Sequence, residues 1–336
     1  MSLSKATKDA VQKLDRVLTL AASYVVPAGF LPIGEGVSGE FSAMNYGYPT
    51  RYVELSGGVR LAYIDVYEGG KGEPEETIIF LHGLGSYLQA WKRNVPELSR
   101  RYRCIAIDLP GYGKSSKRHD ISLDFYAATL KNFADAIGVE TCMLCGHSLG
   151  GQIAVLAALR FPKLVRSLAL LSSAGLEYYT ELERMIIKPF VKLPIPFFKY
   201  ASPAGVFLAY AANFYQMPEE ALSMVRDRIL WAHASDYDLY CEAVLQSFLA
   251  MGYSPIAPRL SAVKQPTLII YGANDNFIPN WFMHGGTVRE IARDSARSIP
   301  NARYEIFEKC GHFVPFERPR ETNEALRRFI ESYQTA

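Results

Sequence analysis

Between an apolar run ending at Cys145 and a helix-patterned stretch from Gln152 to Arg160 stands Gly146-His147-Ser148-Leu149-Gly150-Gly151. A strand that turns directly into a helix crowds the backbone on both sides of the turn, so positions 146 and 150 must be small. Such a turn lifts the Ser148 hydroxyl above the carboxyl edge of a sheet, at the positive end of the following helix. This single junction confines the chain to folds in which buried strands alternate with helices.

The rest of the chain supplies that alternation. Arg51 to Leu55 and Val59 to Ile64 alternate in polarity on either side of Gly57-Gly58, the pattern of a hairpin. Short apolar runs follow at Thr77 to Leu81, Arg103 to Asp108, Thr141 to Cys145, Ser167 to Leu171, Thr267 to Tyr271 and Tyr304 to Phe307. Most are separated by stretches of helical period, such as Phe125 to Ile137. Buried strands alternating with helices predict a mostly parallel sheet with helices on both faces.

The interval from Leu171 to Thr267 breaks the rhythm, being too long for a bare loop and lacking a strand run. Helical segments around Thr180 to Val191, Pro203 to Tyr215, Pro218 to Ala232 and Asp236 to Met251 fill it. We read residues 176–262 as a helical cap inserted into a core of residues 49–175 and 263–336, behind an N-terminal extension of residues 1–48. Fifteen of the 87 cap positions are Phe, Trp or Tyr, richer than the 12% of the whole chain. That enrichment predicts an apolar wall above the site, with Phe197, Phe198, Phe207, Tyr210, Phe214 and Tyr215 as its rings. The competing expectation is that these rings fasten the cap to the core.

A serine hydroxyl becomes a useful nucleophile only beside a base that takes its proton. Of six histidines, His147 lies within the turn, His82 precedes a glycine in another loop, and His119 sits in a polar loop. His233 and His284 fall on helix-patterned segments. His312, in Cys310-Gly311-His312-Phe313, follows the last strand and emerges at the carboxyl edge, where ligands of open α/β sheets bind. His312 is the expected base.

The other ring nitrogen of that histidine needs a carboxylate. Asp275 leaves the preceding strand on the same edge in Gly272-Ala273-Asn274-Asp275, and Asp108, opening Asp108-Leu109-Pro110-Gly111-Tyr112-Gly113, is its rival. The order Ser, Asp, His along the chain favours Asp275 and leaves Asp108 to hold its glycine-rich loop. Charge developing on an attacked carbonyl calls for backbone donors. They are expected from Leu149 N–H at the helix start and Leu84 N–H within His82-Gly83-Leu84-Gly85. The plainer reading of the second loop is an ordinary strand-ending turn.

Thirty-six basic against 34 acidic residues give a net charge of +2, with no basic block of the kind that binds nucleic acid. Five cysteines, an odd number in a chain of 336 residues, point to buried free thiols and a reducing, cytoplasmic setting. Cys142 and Cys145 form a CxxC, but three residues apart on a strand they face opposite ways, against a shared metal or a disulfide. Leu3, Ala6, Ala10, Leu14, Val17 and Ala21 recur at helical spacing, predicting an amphipathic helix from about Ser4 to Tyr24. It is expected to pack on the protein or a second subunit, with peripheral membrane contact as the sharper alternative. Pro27, Gly29, Pro32 and Gly34 break the apolar stretch too often for a spanning helix.

In order along the chain, the His82 to Gly85 loop, Asp108 to Ser115, the Ser148 turn, Gly272 to Asp275 and Gly311-His312 resemble the α/β-hydrolase superfamily. The resemblance covers about residues 55–334 and is nearest to capped lipases and esterases similar to bacterial lipases and monoacylglycerol lipases. It implies a carboxylic ester hydrolase acting on medium-chain or monoacylglycerol-like apolar esters through an acyl-enzyme, with no metal or organic cofactor. Two alternatives stand beside it. One is a serine-dependent C–C bond hydrolase of vinylogous diketo acids, whose family loop usually reads Gly-Pro-Gly where this chain has Gly83-Leu84-Gly85. The other is a non-catalytic binding member of the fold.

Overall fold

The structure, a computed structural model, describes residues 40–178, 202–253, 256–279 and 286–334, together with Thr180, Glu183 and Met185. The apolar runs build β1 (Arg51–Leu55), β2 (Val59–Val66), β3 (Thr77–Leu81), β4 (Arg103–Ile107), β5 (Cys142–His147), β6 (Val165–Leu171), β7 (Thr267–Gly272) and β8 (Ala302–Phe307). They form one sheet in the order β1-β2-β4-β3-β5-β6-β7-β8. The β1–β2 and β2–β4 pairs are antiparallel and the remaining pairs are parallel. Every residue of β5 and β7 is buried, which is why those segments read as continuous apolar runs rather than as alternation. Strand β5 runs two residues past the expected end at Cys145, because Gly146 and His147 keep pairing with Leu170 and Leu171.

Helices α1 (Leu123–Ala136) and α2 (Leu149–Arg160) follow β4 and β5. Ser122 caps α1 by accepting from Phe125 N–H. Helix α2 is buried over all but its last two residues, which fits its lack of a polar face. Between β6 and β7 lie α3 (Pro203–Ala211), α4 (Leu222–Trp231) and α5 (Tyr237–Tyr253), and α6 (Val288–Ser298) and α7 (Pro319–Gln334) flank β8. Helix α3 ends short of the expected Tyr215 because the Asn213 side-chain amide turns back onto the Ala209 and Tyr210 carbonyls at 2.9 and 3.2 Å. The segment expected as a helix over Thr180 to Val191 lies largely outside the described residues, as does the amphipathic helix of Ser4 to Tyr24.

The described part of the N-terminal extension begins at Glu40, beyond the segment in which a helix is expected. Residues 40–48 hold a single 3-10 turn, Phe41–Ala43, and run otherwise without regular structure. Aromatic side chains anchor this stretch. The Phe41 ring packs 5.0 Å from Trp231 and 5.5 Å from Tyr240, and Tyr46 donates to Asp108 at 2.6 Å.

Two rings of the expected wall pack elsewhere, one of them onto the core. Phe207 packs with Val225 and Ile229 inside the helical insertion, and Phe214 lies 5.6 Å from Phe313 and 6.2 Å from Phe316 of the core. Tyr215 is exposed, while Phe197 and Phe198 fall outside the described residues. His233, expected on a helix, stands in the turn after α4, and His284 is not among the described residues. All five cysteines are buried free thiols. Among the described residues no helix is long and apolar enough to cross a membrane.

Candidate active site

Ser148 sits at φ 53° and ψ −116°, a conformation unfavourable for a residue with a side chain and costing of order 1–3 kcal/mol. The turn is held from both sides. Ser148 N–H donates to Leu171 O at 3.0 Å, and Ser148 O accepts from Gly151 N–H at 3.0 Å and Ala174 N–H at 3.1 Å. A Cβ at Gly146 would collide with the Gly150 backbone, and one at Gly150 with Leu81 O. The glycines expected from the turn geometry are therefore required by backbone contact.

His312 follows β8, and its Nδ1–H donates to Asp275 Oδ2 at 2.8 Å. The Asp275 side chain has no solvent exposure, and its Oδ1 accepts from Phe277 and Ile278 N–H at 2.8 and 3.0 Å. Burial pushes this carboxyl up, but the His312 ring and the two amides outweigh it and hold the pKa below the ordinary aspartate value. With Nδ1 carrying the proton, Nε2 of the neutral ring presents a lone pair. The strand that leads into Ser148 and the loop of His312 are tied together. His147 donates from Nε2 to His312 O at 3.0 Å, its ring centroid is 5.0 Å from that of His312, and it stacks on Phe313. Burial, then the neighbouring His312, pushes the His147 pKa down to about 3, so this ring is a neutral strut.

The loop after β3 lies against the serine turn, since a Cβ at Gly83 would be 3.2 Å from Ser148 Cβ. His82 is fully buried, and burial lowers its pKa to about 4. Its Nε2 accepts from Leu109 N–H at 3.0 Å, which leaves Nδ1–H to donate to Gly83 O at 2.8 Å. Leu149 N–H opens α2 directly beside Ser148.

Asp108 lies elsewhere and does a different job. Its Oδ2 accepts from Tyr46 O–H at 2.6 Å and Lys114 N–H at 2.8 Å, and its Oδ1 from Leu88 N–H at 2.8 Å. Burial raises its pKa against the pull of these donors. An amide at this position accepts through one oxygen only, so Asp108→Asn leaves a buried donor unmatched at a cost of about 2–3 kcal/mol. We expect Asp108→Asn to lower the melting temperature by several degrees while kcat stays within a few-fold of wild type. Thermal unfolding and steady-state kinetics on the same preparation check it.

Glu317 is a site residue that the sequence reading did not single out. Its carboxylate accepts from Gly311 N–H at 2.8 Å, Tyr215 N–H at 3.1 Å and Gln216 N–H at 2.7 Å. It fixes the loop of His312 and docks residues 215–216 against that loop. Glu317 closes the four-residue helix Val314–Glu317, ahead of the last helix, and no local signal in the sequence marks it.

Residues 76–319 match the model of the alpha/beta hydrolase fold family. A 2-hydroxy-6-oxononadienedioate/2-hydroxy-6-oxononatrienedioate hydrolase of Paraburkholderia phymatum is 28% identical, over 80% of this chain and 94% of that protein. A second hydrolase of that name from Pseudomonas putida is also 28% identical, over 90% of this chain and 99% of its own. The crystal structure of a membrane phospholipase A described as a bacterial virulence factor superposes with a TM-score of 0.70 at 27% identity, over 97% of this chain and 96% of that one. With the family model spanning most of its length and the parallel sheet and serine turn in place, the chain belongs to the alpha/beta hydrolase fold family.

Proposed function

We propose that the protein is a serine hydrolase that cleaves a bond to a carbonyl carbon through an acyl-enzyme on Ser148. The observation that carries this reading is the buried His312–Asp275 pair, which presents an Nε2 lone pair on the sheet edge that also carries the strained serine. Ser148 Oγ adds to the carbonyl carbon as its proton passes to His312 Nε2. Leu84 and Leu149 N–H hold the resulting oxyanion, each donor contributing about 3 kcal/mol. Collapse expels the leaving group, which takes the proton from His312. Water, deprotonated by His312, then releases the acid and restores the serine. In this reading residues 176–262 form the cap and residues 49–175 with 263–336 the core.

The names of the curated relatives favour a carbon–carbon bond as the one broken, in a vinylogous diketo acid, ahead of the ester expected from sequence. There the leaving group is a dienolate whose charge spreads over the conjugated system before His312 protonates it. The ester reading keeps support of its own. Phe277 stands 46% exposed with its ring 5.2 Å from that of His312, an apolar surface at the base, and the phospholipase A likeness spans nearly the whole chain. The non-catalytic alternative has no comparable support.

One assay separates the bonds. A 2-hydroxy-6-oxo-dienoate followed by loss of its absorbance is compared with p-nitrophenyl esters from two to sixteen carbons and a monoacylglycerol. We expect kcat/KM for the diketo acid to exceed that for the best ester by roughly tenfold or more, the scale on which enzymes discriminate by differential transition-state binding. Ester turnover that dominates instead, rising from two to about six to ten carbons by roughly 0.8 kcal/mol per methylene, reverses the order.

A further inference from the structure

Gly83, Leu84, Gly85 and Ser86 form a turn closed by Ser86 N–H donating to Gly83 O at 3.2 Å, with Gly85 in the left-handed region at φ 68°. A trans peptide is planar with its C=O and N–H opposed, so whatever holds the oxygen aims the hydrogen. Tyr240 of α5 donates its hydroxyl to Gly85 O at 3.0 Å. The N–H of that same peptide is the Ser86 N–H that closes the turn onto Gly83 O. The peptide carrying Gly83 O has, as its own N–H, that of Leu84. Three donors thus stand in series, from the Tyr240 hydroxyl through Ser86 N–H to Leu84 N–H, and hydrogen bonds in series polarise one another in the same sense. His82 Nδ1–H adds a second donor to Gly83 O at 2.8 Å.

We infer that Tyr240 is a positioning residue of the hydrolytic site, aiming the Leu84 N–H through two peptide groups and linking α5 to the oxyanion donor. This rests on the reading of Leu84 N–H as such a donor. The tyrosine is suited to the task. It is fully buried, and its ring lies 5.5 Å from both Phe41 and Trp231 and 5.9 Å from Tyr112. The Arg228 guanidinium lies 4.9 Å from the ring centroid, and a cation on the face of a phenol strengthens its hydroxyl as a donor. Helix α5 is also docked on the core, with Ser247 Oγ 2.8 Å from Tyr126 Oη and Met251 O accepting from Gln152 Nε2 at 3.1 Å. The hydroxyl is therefore presented from a helix docked on the core.

The test compares Tyr240→Phe with Tyr237→Phe. Tyr237 also packs against Arg228, whose Nη1 donates to the Tyr237 hydroxyl at 2.9 Å, so both variants remove one buried hydroxyl beside the same cation. Each is assayed for kcat, KM and melting temperature, and for inhibition by a trifluoromethyl ketone and the matching methyl ketone. The fluorinated ketone adds the serine and leaves an oxyanion that needs the backbone donors. Tyr240→Phe is expected to lower kcat and trifluoromethyl ketone affinity together by roughly tenfold, with KM within about twofold. Tyr237→Phe should leave both near wild type even if it melts lower. The inference is overturned if Tyr240→Phe keeps wild-type kcat and inhibitor affinity, or if both variants lose activity only in step with melting temperature. Wild-type enzyme that binds the two ketones equally overturns the oxyanion reading itself, and this inference with it.

Discussion

Ser148→Ala is expected to lower kcat by roughly 10⁴-fold or more, whichever carbonyl substrate is turned over. The acyl-enzyme route has no substitute for the hydroxyl, because His312 can activate water but cannot place it where the strained turn places Oγ. Residual rate over the uncatalysed reaction should remain, supplied by the oxyanion donors and by binding. The fold should survive, since the turn is held by backbone contacts: Ser148 N–H to Leu171 O, and Ser148 O to Gly151 and Ala174 N–H. Stoichiometric labelling by a fluorophosphonate should vanish in the same variant. Retained labelling together with most of the activity would transfer the nucleophile's role to another residue.

Asp275→Asn should cost about as much, roughly 10⁴-fold in kcat, by a different physical route. The side-chain oxygen can still accept from Phe277 and Ile278 N–H, so the loop after β7 keeps its shape. The new amide then turns its NH₂ toward His312 Nδ1, which must accept instead of donate. The proton moves to Nε2, and the lone pair that would take the serine proton is gone. The imidazolium that forms during the reaction also loses its buried counter-charge. Set beside Asp108→Asn, the two variants should show opposite phenotypes, activity lost with stability kept in one and the reverse in the other. Exchanged phenotypes would sink the assignment of both carboxylates.

The parts legible in the sequence are those governed by local chemistry. Continuous apolar runs mark β3, β5 and β7 because both faces of those strands are buried, and the glycines around Ser148 mark a turn where side chains cannot fit. His312 and Asp275 were legible because each leaves a strand at the same sheet edge, and chain order ranked Asp275 over Asp108. Contacts between residues far apart in the chain left no comparable signal. Glu317 reads as an ordinary acid ahead of the last helix until Gly311, Tyr215 and Gln216 are seen to donate to it. The aromatic enrichment of residues 176–262 is real, yet composition carries no direction. Packing alone turned Phe207 into the interior of the insertion and Phe214 onto Phe313.

The N-terminal extension shows the same division. Tyr46 and Phe41 look like isolated aromatics in an irregular stretch, and only the folded chain brings the first to Asp108 and the second to Trp231 and Tyr240. The sequence by itself determined the sheet, the strained serine and the pairing of His312 with Asp275, because periodicity, steric exclusion and strand-end position are written within a few residues of each. Tertiary structure decided where Phe207 and Phe214 pack, what holds the loop of Leu84, and how α5 reaches it. Those outcomes depend on groups meeting outside any one local segment, as far as 155 residues apart for Tyr240 and Gly85, and no local pattern encodes such a meeting.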